Sequence, residues 1–239
     1  MRILWRLKSM NGNKRLLKSG SRLSQLKGLI EDPYAVIWDC CCDHGLLGMS
    51  LLQSKCAGEV IFVDVLVDHM ETLATTLAHY FPRDQYTWQV RCEDLKNLVV
   101  PNVGAQLFII AGVGPQQTIK FIDSLCSSAP DTPFDLLVCC VNGSYSVRET
   151  LIDRGYRLKN ERLIFENNRF YEAIHVSKSA HETIADTGST MWHWLDPAHQ
   201  EYWHRIVAHY RQKAKTDPLR FRPIVQRYEA LRISINNTE

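Results

Sequence analysis

The sequence predicts an α/β fold: a doubly wound, mostly parallel sheet ending in an antiparallel hairpin, followed by a C-terminal antiparallel helix pair. Three observations carry this. Short β-branched runs alternate with amphipathic helical stretches through the central two-thirds of the 239-residue chain. Two strand-like runs then follow each other with only an Asn-rich turn between them. Near the C-terminus two Asp-Pro pairs, Asp196-Pro197 and Asp217-Pro218, each open a helical pattern.

Taken in order, Val36-Ile37-Trp38-Asp39-Cys40 is an apolar run ending in polar residues, as a buried parallel strand does, and Val60-Ile61-Phe62-Val63-Asp64 repeats the form. Tyr86 to Arg91, Leu107 to Ala111 and Phe134 to Val141 continue the series of strands. Helical stretches lie between them at Leu46 to Gln53, His69 to Tyr80, Gln116 to Cys126 and Tyr145 to Arg154. Tyr156 to Phe165 and Arg169 to Val176 form the hairpin, joined through Glu166-Asn167-Asn168, because Asn tolerates positive φ. The polar segment His181 to Met191 reads as a linker. The first terminal helix runs to about Lys215 with Tyr202, Ile206 and Tyr210 on one side. The second carries Phe221, Ile224, Val225, Tyr228 and Leu231, with Pro223 placed to kink or restart it. The expected division is a basic segment 1–18 that is open to being unfolded, a catalytic domain 19–178, and a linker with helical hairpin at 179–239.

Composition is that of a globular protein, 45% hydrophobic and 23% charged, and no apolar window approaches the ~18 residues of a membrane span. Arg6 and Lys8 interrupt the start before a signal-peptide core forms, so a cytoplasmic protein is expected. Of eight cysteines, Cys40, Cys41 and Cys42 are consecutive and Cys139 and Cys140 adjacent, with no C-x-x-C spacing. Neighbouring cysteines on a strand point to opposite faces, so reduced, mostly buried thiols are expected and no metal site is assigned. Net charge is only +2, but the basic residues concentrate at the ends. The first 30 residues hold eight Lys and Arg, among them Arg15, Lys18 and Arg22, and no acid; the tail adds Arg211, Lys213 and Arg220 among others. Basic ends around a neutral middle point to a phosphate-rich partner, or to a solvated surface.

Ligands of such sheets lie beyond the carboxyl ends of the strands. Asp39, Asp64 and Asp94 stand at or just after the ends of strands one, two and three, where a carboxylate either receives ligand hydroxyl and amino groups or caps a helix. After strand four comes Ala111-Gly112-Val113-Gly114-Pro115, whose glycines permit positive φ and close approach to a flat ligand, or simply a tight turn. After strand five, Asn142 either holds a base edge or forms a turn. His44, beside Asp43, either touches substrate or stabilises its loop.

These motifs together resemble the bacterial tRNA (adenine(22)-N1)-methyltransferases from about Ser21 to Val176, and more loosely into the helical tail. The family's opening Ser-x-Arg-Leu-type helix resembles Ser21-Arg22-Leu23. Its Asp-Ile-Gly-Ser-Asp-His loop resembles Asp39-Cys40-Cys41-Cys42-Asp43-His44, and its Ile-Ala-Gly-Met-Gly-Gly resembles Ile110 to Pro115. Its Gln-Pro-Asn is matched by Cys140-Val141-Asn142, and its Tyr-Glu pair by Tyr171-Glu172. The chain departs at three points: Cys41, Pro115 and Val141 stand where the family has Gly, Gly and Pro. A cysteine adopts positive φ at greater cost than glycine, so either the loop runs differently or a cofactor is held less tightly.

The resemblance implies a Rossmann-like class I S-adenosylmethionine (SAM) methyltransferase sheet and SAM as cofactor, leaving S-adenosyl-L-homocysteine as product. It implies a tRNA substrate methylated at N1 of an adenine, position 22. Asp64 would receive the ribose hydroxyls and Asp94 the adenine amino group. Asp39, Cys41, Asp43, His44, Ala111, Gly112 and Gly114 would complete the cofactor site. Asp39 or Asp43, with Asn142 orienting, would serve catalysis, and Arg15, Lys18, Arg22, Arg211, Lys213 and Arg220 would grip tRNA. A small-molecule methyltransferase and a non-catalytic RNA-binding relative stay open as alternatives, as does monomer or weak dimer.

Overall fold

A computed structural model describes residues 20–236; the basic segment before Gly20, with Arg15 and Lys18, lies outside the described residues. Seven strands form one sheet in the order β3-β2-β1-β4-β5-β7-β6. The central strands β1 (Tyr34–Cys40), β2 (Ala57–Asp64), β3 (Trp88–Cys92), β4 (Gln106–Ala111) and β5 (Asp135–Cys139) are mutually parallel. The hairpin β6 (Arg157–Glu166) and β7 (Arg169–Ser177) closes one edge, with β7 antiparallel to β5. Asn167 and Asn168 alone make its turn, at φ 52° and 59°. Positive φ at both centres is the turn whose twist matches a two-residue hairpin, and Asn adopts it more cheaply than most side chains.

Because β1 alternates across the sheet, its side chains feed two cores. Val36, Trp38 and Cys40 pack with Phe121, Ile122 and Leu125 of α4 (Pro115–Ser128) and with Val147 and Leu151 of α5 (Ser144–Asp153). Ile37, on the other face, packs with Leu26 of α1 (Ser21–Lys27) and Leu51 of α2 (Leu46–Ser54). Met70, Leu73 and Leu77 of α3 (Val67–Tyr80) complete that second layer. Helices on both faces explain why β1 is buried at six of its seven positions, the pattern of a central parallel strand. The α1–β1 connection is fixed from below: the Leu29 carbonyl accepts from Asn160 Nδ2 at 3.0 Å and lies 3.0 Å from His175 Nδ1. That anchor sets where α1 sits.

A third core joins the hairpin to α6 (Pro197–Lys213) and α7 (Pro218–Asn236) through Tyr145, Phe170, Trp203, Tyr210 and Tyr228. Asp196 caps α6 by accepting from Ala198 N at 2.8 Å, with Pro197 as first residue, as the sequence predicts. Pro223 neither breaks nor restarts α7. It lies near the start of the helix, and the carbonyl four residues earlier, of highly exposed Leu219, is within reach of water.

The segment between β7 and α6 has almost no regular structure, yet it is tied to the sheet. Arg148, fully buried, bonds Glu161 Oε2 at 2.6 Å and Glu172 Oε2 at 2.8 Å, and donates to the Ala185 carbonyl at 3.1 Å. Glu161 Oε1 accepts from the backbone N–H groups of Ser189 and Met191, and Tyr202 of α6 donates to Glu172 Oε1 at 2.6 Å. Burial pushes Glu161 up, but Arg148 and those N–H donors outweigh it and hold the carboxyl below its ordinary range. One buried cation thus joins α5, the hairpin and the segment read as a linker. Among the described residues no helix is long and apolar enough to cross a membrane.

Candidate active site

Parallel pairing puts the ends of β1 to β5 along one edge, with Cys40 opposite Val63, Asp64 opposite Cys92, and Ala111 opposite Cys139. Asp39, one residue before the end of β1, is buried, and its Oδ2 accepts from Gly48 N in the first turn of α2 at 2.8 Å. Burial pushes this carboxyl up to about 7, against the Gly48 hydrogen bond, and the Asp64 charge adds to the rise. Gly48 is required here: a Cβ would lie 2.3 Å from Phe62 and 2.8 Å from Asp39 Oδ2. The sequence signal, a glycine three residues after Gly45, was available and carried no assignment.

The loop after β1 turns through left-handed conformations at Cys41 (φ 56°), Asp43 (φ 50°) and Gly45 (φ 66°). Cys41 therefore does adopt the conformation that glycine takes more cheaply, at a cost of about 1 kcal/mol. The loop is held by Cys42 N donating to the Val63 carbonyl at 3.2 Å and by Asp43 N donating to Asp64 Oδ2 at 3.0 Å. Burial pushes the Cys40, Cys41 and Cys42 thiols upward, Cys41 to about 12, so all three stay protonated at neutral pH.

Asp64 ends β2 and works locally as well as facing the cleft edge: its Oδ1 accepts from Val65 N at 2.8 Å and Leu66 N at 3.2 Å. Asp94 follows β3 and caps a 3-10 turn by accepting from Lys96 N at 3.0 Å. Both carboxylates are half-buried, and the capping role holds for each. Glu93 N donates to the Asp64 carbonyl at 3.0 Å, which draws the β2 and β3 ends together.

On the other side of β1, Gly112 takes φ 89° and donates to the Cys139 carbonyl at 3.0 Å, while Val141 N donates to the Val113 carbonyl at 2.9 Å. These bonds join the loops after β4 and β5. A Cβ on Gly114 would meet nothing within 4 Å, so the space above this loop is open. Asn142 is exposed at φ 63°, followed by Gly143 at φ 67°. Ala111 is half-buried at the end of β4.

Arg22 of α1 does not join an outer basic surface. Its guanidinium lies 5.1 Å from the centre of the Tyr171 ring, and Nη1 would be 3.9 Å from a Cβ on Gly112. Its backbone N–H donates to Glu166 Oε1 at 2.9 Å, which fixes its origin at the hairpin. Nη1 is buried with no hydrogen-bond partner. The structure thus brings Arg22 to the β4 loop and leaves Arg211, Lys213 and Arg220 on the α6–α7 pair. Two residues the sequence reading did not assign also reach the site: Tyr171 as a π-face under Arg22, and His69 of α3, whose Nδ1 lies 2.9 Å from Asp43 Oδ1. Chain separation hides His69 from sequence; the ties from Cys42 N to the Val63 carbonyl and from Asp43 N to Asp64 hold the first loop beside the start of α3.

Residues 19–174 match a family model described as a methyltransferase domain. No curated protein matches the sequence. Among solved structures, M. capricolum TrmK in complex with S-adenosyl-homocysteine is similar at TM-score 0.68 and 17% identity, over 91% of this chain and 98% of that one. The B. subtilis m1A22 tRNA methyltransferase TrmK is similar at TM-score 0.64 and 15% identity, over 92% and 97%. Magnesium protoporphyrin IX methyltransferase from Synechocystis is similar at TM-score 0.54 and 12% identity, over only 66% and 83%. The shared feature is the fold, and in the two TrmK proteins the similarity covers nearly the whole chain.

Proposed function

This chain belongs to the methyltransferase-domain family, and on that premise we propose that it transfers a methyl group from SAM to N1 of an adenine in tRNA, with position 22 as the target. The observation that carries the cofactor reading is the row of carboxylates Asp39, Asp64 and Asp94 at or just after the ends of the neighbouring strands β1, β2 and β3, on the same sheet edge as the glycine loop after β4. The tRNA reading draws its support from the helix pair α6–α7 and from similarity to TrmK proteins across nearly their full length.

The residues present suit SAM. Asp64 retains acceptor capacity toward the cleft after its three N–H contacts, since a carboxylate offers about four lone-pair sites. Asp94 has a half-buried carboxylate for the adenine amino group, and exposed Asp43 brings a carboxylate to the cationic end of the cofactor, while Asp39 holds the loop from beneath through Gly48 N. Open space at Gly114 leaves room beside the loop. When bound, SAM supplies an electrophilic methyl group.

Adenine N1 is itself the nucleophile, so the chain's residues need only align it and take a proton from the exocyclic amine. Asp43 is the better placed acceptor, being exposed where Asp39 is buried beneath the loop. Asn142, exposed on the β5 loop, orients the base edge. Arg22 Nη1 lies beside Gly112 without a hydrogen-bond partner, which supports a contact from Arg22 to the target nucleotide. A base buried in folded tRNA is turned outward to reach this edge.

Unmodified tRNA incubated with labelled SAM tests the reading. Label in tRNA together with a reverse-transcription stop at adenine 22 is the expected result; label without a stop at any adenine overturns the N1 assignment. Asp64→Ala is expected to weaken SAM binding by calorimetry more than it weakens tRNA binding, and the reverse order would remove Asp64 from the ribose role.

A further inference from the structure

We propose that Asp43, His44 and His69 form a binding site for one divalent transition-metal ion of the zinc class at the mouth of the first loop. The proposal rests on the geometry of three side chains and not on the methyl-transfer reading, although it shares Asp43 and His44 with that reading, so a bound ion would withdraw Asp43 from proton transfer. One oxygen of Asp43 and one nitrogen of each histidine lie within 4.8 Å of one another. His69 Nδ1 is 2.9 Å and His44 Nδ1 3.7 Å from Asp43 Oδ1. Tetrahedral bonds of about 2.0–2.1 Å separate neighbouring ligand atoms by roughly 3.3–3.4 Å, and these two distances straddle that value.

The short approach of His69 to Asp43 is not itself satisfied as a hydrogen bond: His69 Nδ1 is a buried atom without a hydrogen-bond partner. With a neutral imidazole whose Nδ1 carries the lone pair, the two atoms would face each other as acceptors, and a metal ion there would be ligated by both. The imidazole rings of His44 and His69 are neighbours, with centroids 4.8 Å apart and planes tilted by 46°, so a modest turn of His44 brings its nitrogen toward the same ion. The scaffold is fixed on both sides. Asp43 N is bonded to Asp64 Oδ2, and His69 sits in the first turn of α3. A helix N-terminus opposes a cation, but Asp64 already accepts from the Val65 and Leu66 N–H groups there and Asp68 lies in the same turn.

Donor chemistry selects the ion. Two imidazoles and one carboxylate suit zinc, nickel or copper better than magnesium or calcium, which prefer all-oxygen shells. Three protein ligands at an exposed rim leave a further position for water, as in an exchangeable site rather than a closed structural one.

Chelator-treated full-length protein titrated with Zn²⁺ by calorimetry tests this, with Co²⁺ absorption reporting ligand type. One equivalent is expected to bind in the micromolar range. His69→Ala and His44→Ala should each weaken it at least about tenfold, since loss of even an outer-shell partner costs ~10–100-fold. Both histidines lie at the surface, and far-UV circular dichroism confirms that the variants fold. Binding no tighter than millimolar, unchanged affinity in His69→Ala, or a thiolate-to-cobalt charge-transfer band would each overturn the site.

Discussion

Asp39 is the residue whose chemistry departs furthest from its ordinary behaviour at the candidate site. In an unfolded chain its carboxyl titrates near 4; in the fold, burial raises it to about 7. The folded protein therefore holds a proton that the unfolded chain has released, so the stabilising contribution is complete below about pH 4 and is lost as pH rises to about 7. Urea unfolding of the wild type should show stability falling across that window, and Asp39→Asn should flatten the slope. An unchanged slope would mean that Asp39 is ionised in the fold. The left-handed Cys41 belongs to the same scale. From sequence, the loop could have avoided the strain or accepted it. The hydrogen bonds from Cys42 to Val63 and from Asp43 to Asp64 show why it accepts it.

At the scale of elements, the alternation of strands and helices was legible because it depends on local apolar periodicity. The Asn167-Asn168 turn was legible because its chemistry is local too. What sequence did not disclose was long-range: that His69 reaches Asp43, that α1 turns Arg22 toward Gly112, and that residues 181–191 are anchored. That last segment is polar and lacks periodicity, the signature of a linker. Its order comes from Glu161 and Arg148, which are distant in sequence. Replacing Glu161 by Ala removes one of two carboxylates from a buried guanidinium and unpairs the Ser189 and Met191 N–H groups. Breaking a buried pair costs ~3–5 kcal/mol, and because Glu172 still neutralises Arg148 the loss should lie near 3 kcal/mol. Chemical denaturation should read this as a lower midpoint, with limited proteolysis cutting first within residues 181–191. A variant as stable as wild type would show that the anchor contributes no net stability.

For the whole molecule, a net charge of +2 is too small to draw a polyanion by overall field, so affinity for tRNA must come from local concentration of charge. The described part of the tail contains such a concentration at the α6–α7 turn. Lys213 Nζ lies 5.3 Å and the Arg220 guanidinium 5.2 Å from the centre of the Phe221 ring, which gathers two exposed cations on one aromatic support. Arg211 differs, because Glu229 already pairs with it across the two helices. Releasing Arg211 to a phosphate would break that pair, so it should contribute least. The Lys213→Ala/Arg220→Ala double variant should weaken tRNA binding across sequences and reduce the slope of log affinity against log salt by roughly 2, about one per lost phosphate contact. Its SAM affinity should match the wild type, because both cations lie on Phe221 and neither pairs with Asp39, Asp64 or Asp94. Fluorescence anisotropy over a salt series measures the first quantity and calorimetry the second. An unchanged salt slope would remove the helix pair from the tRNA interface and return the tail to a purely structural role over the hairpin.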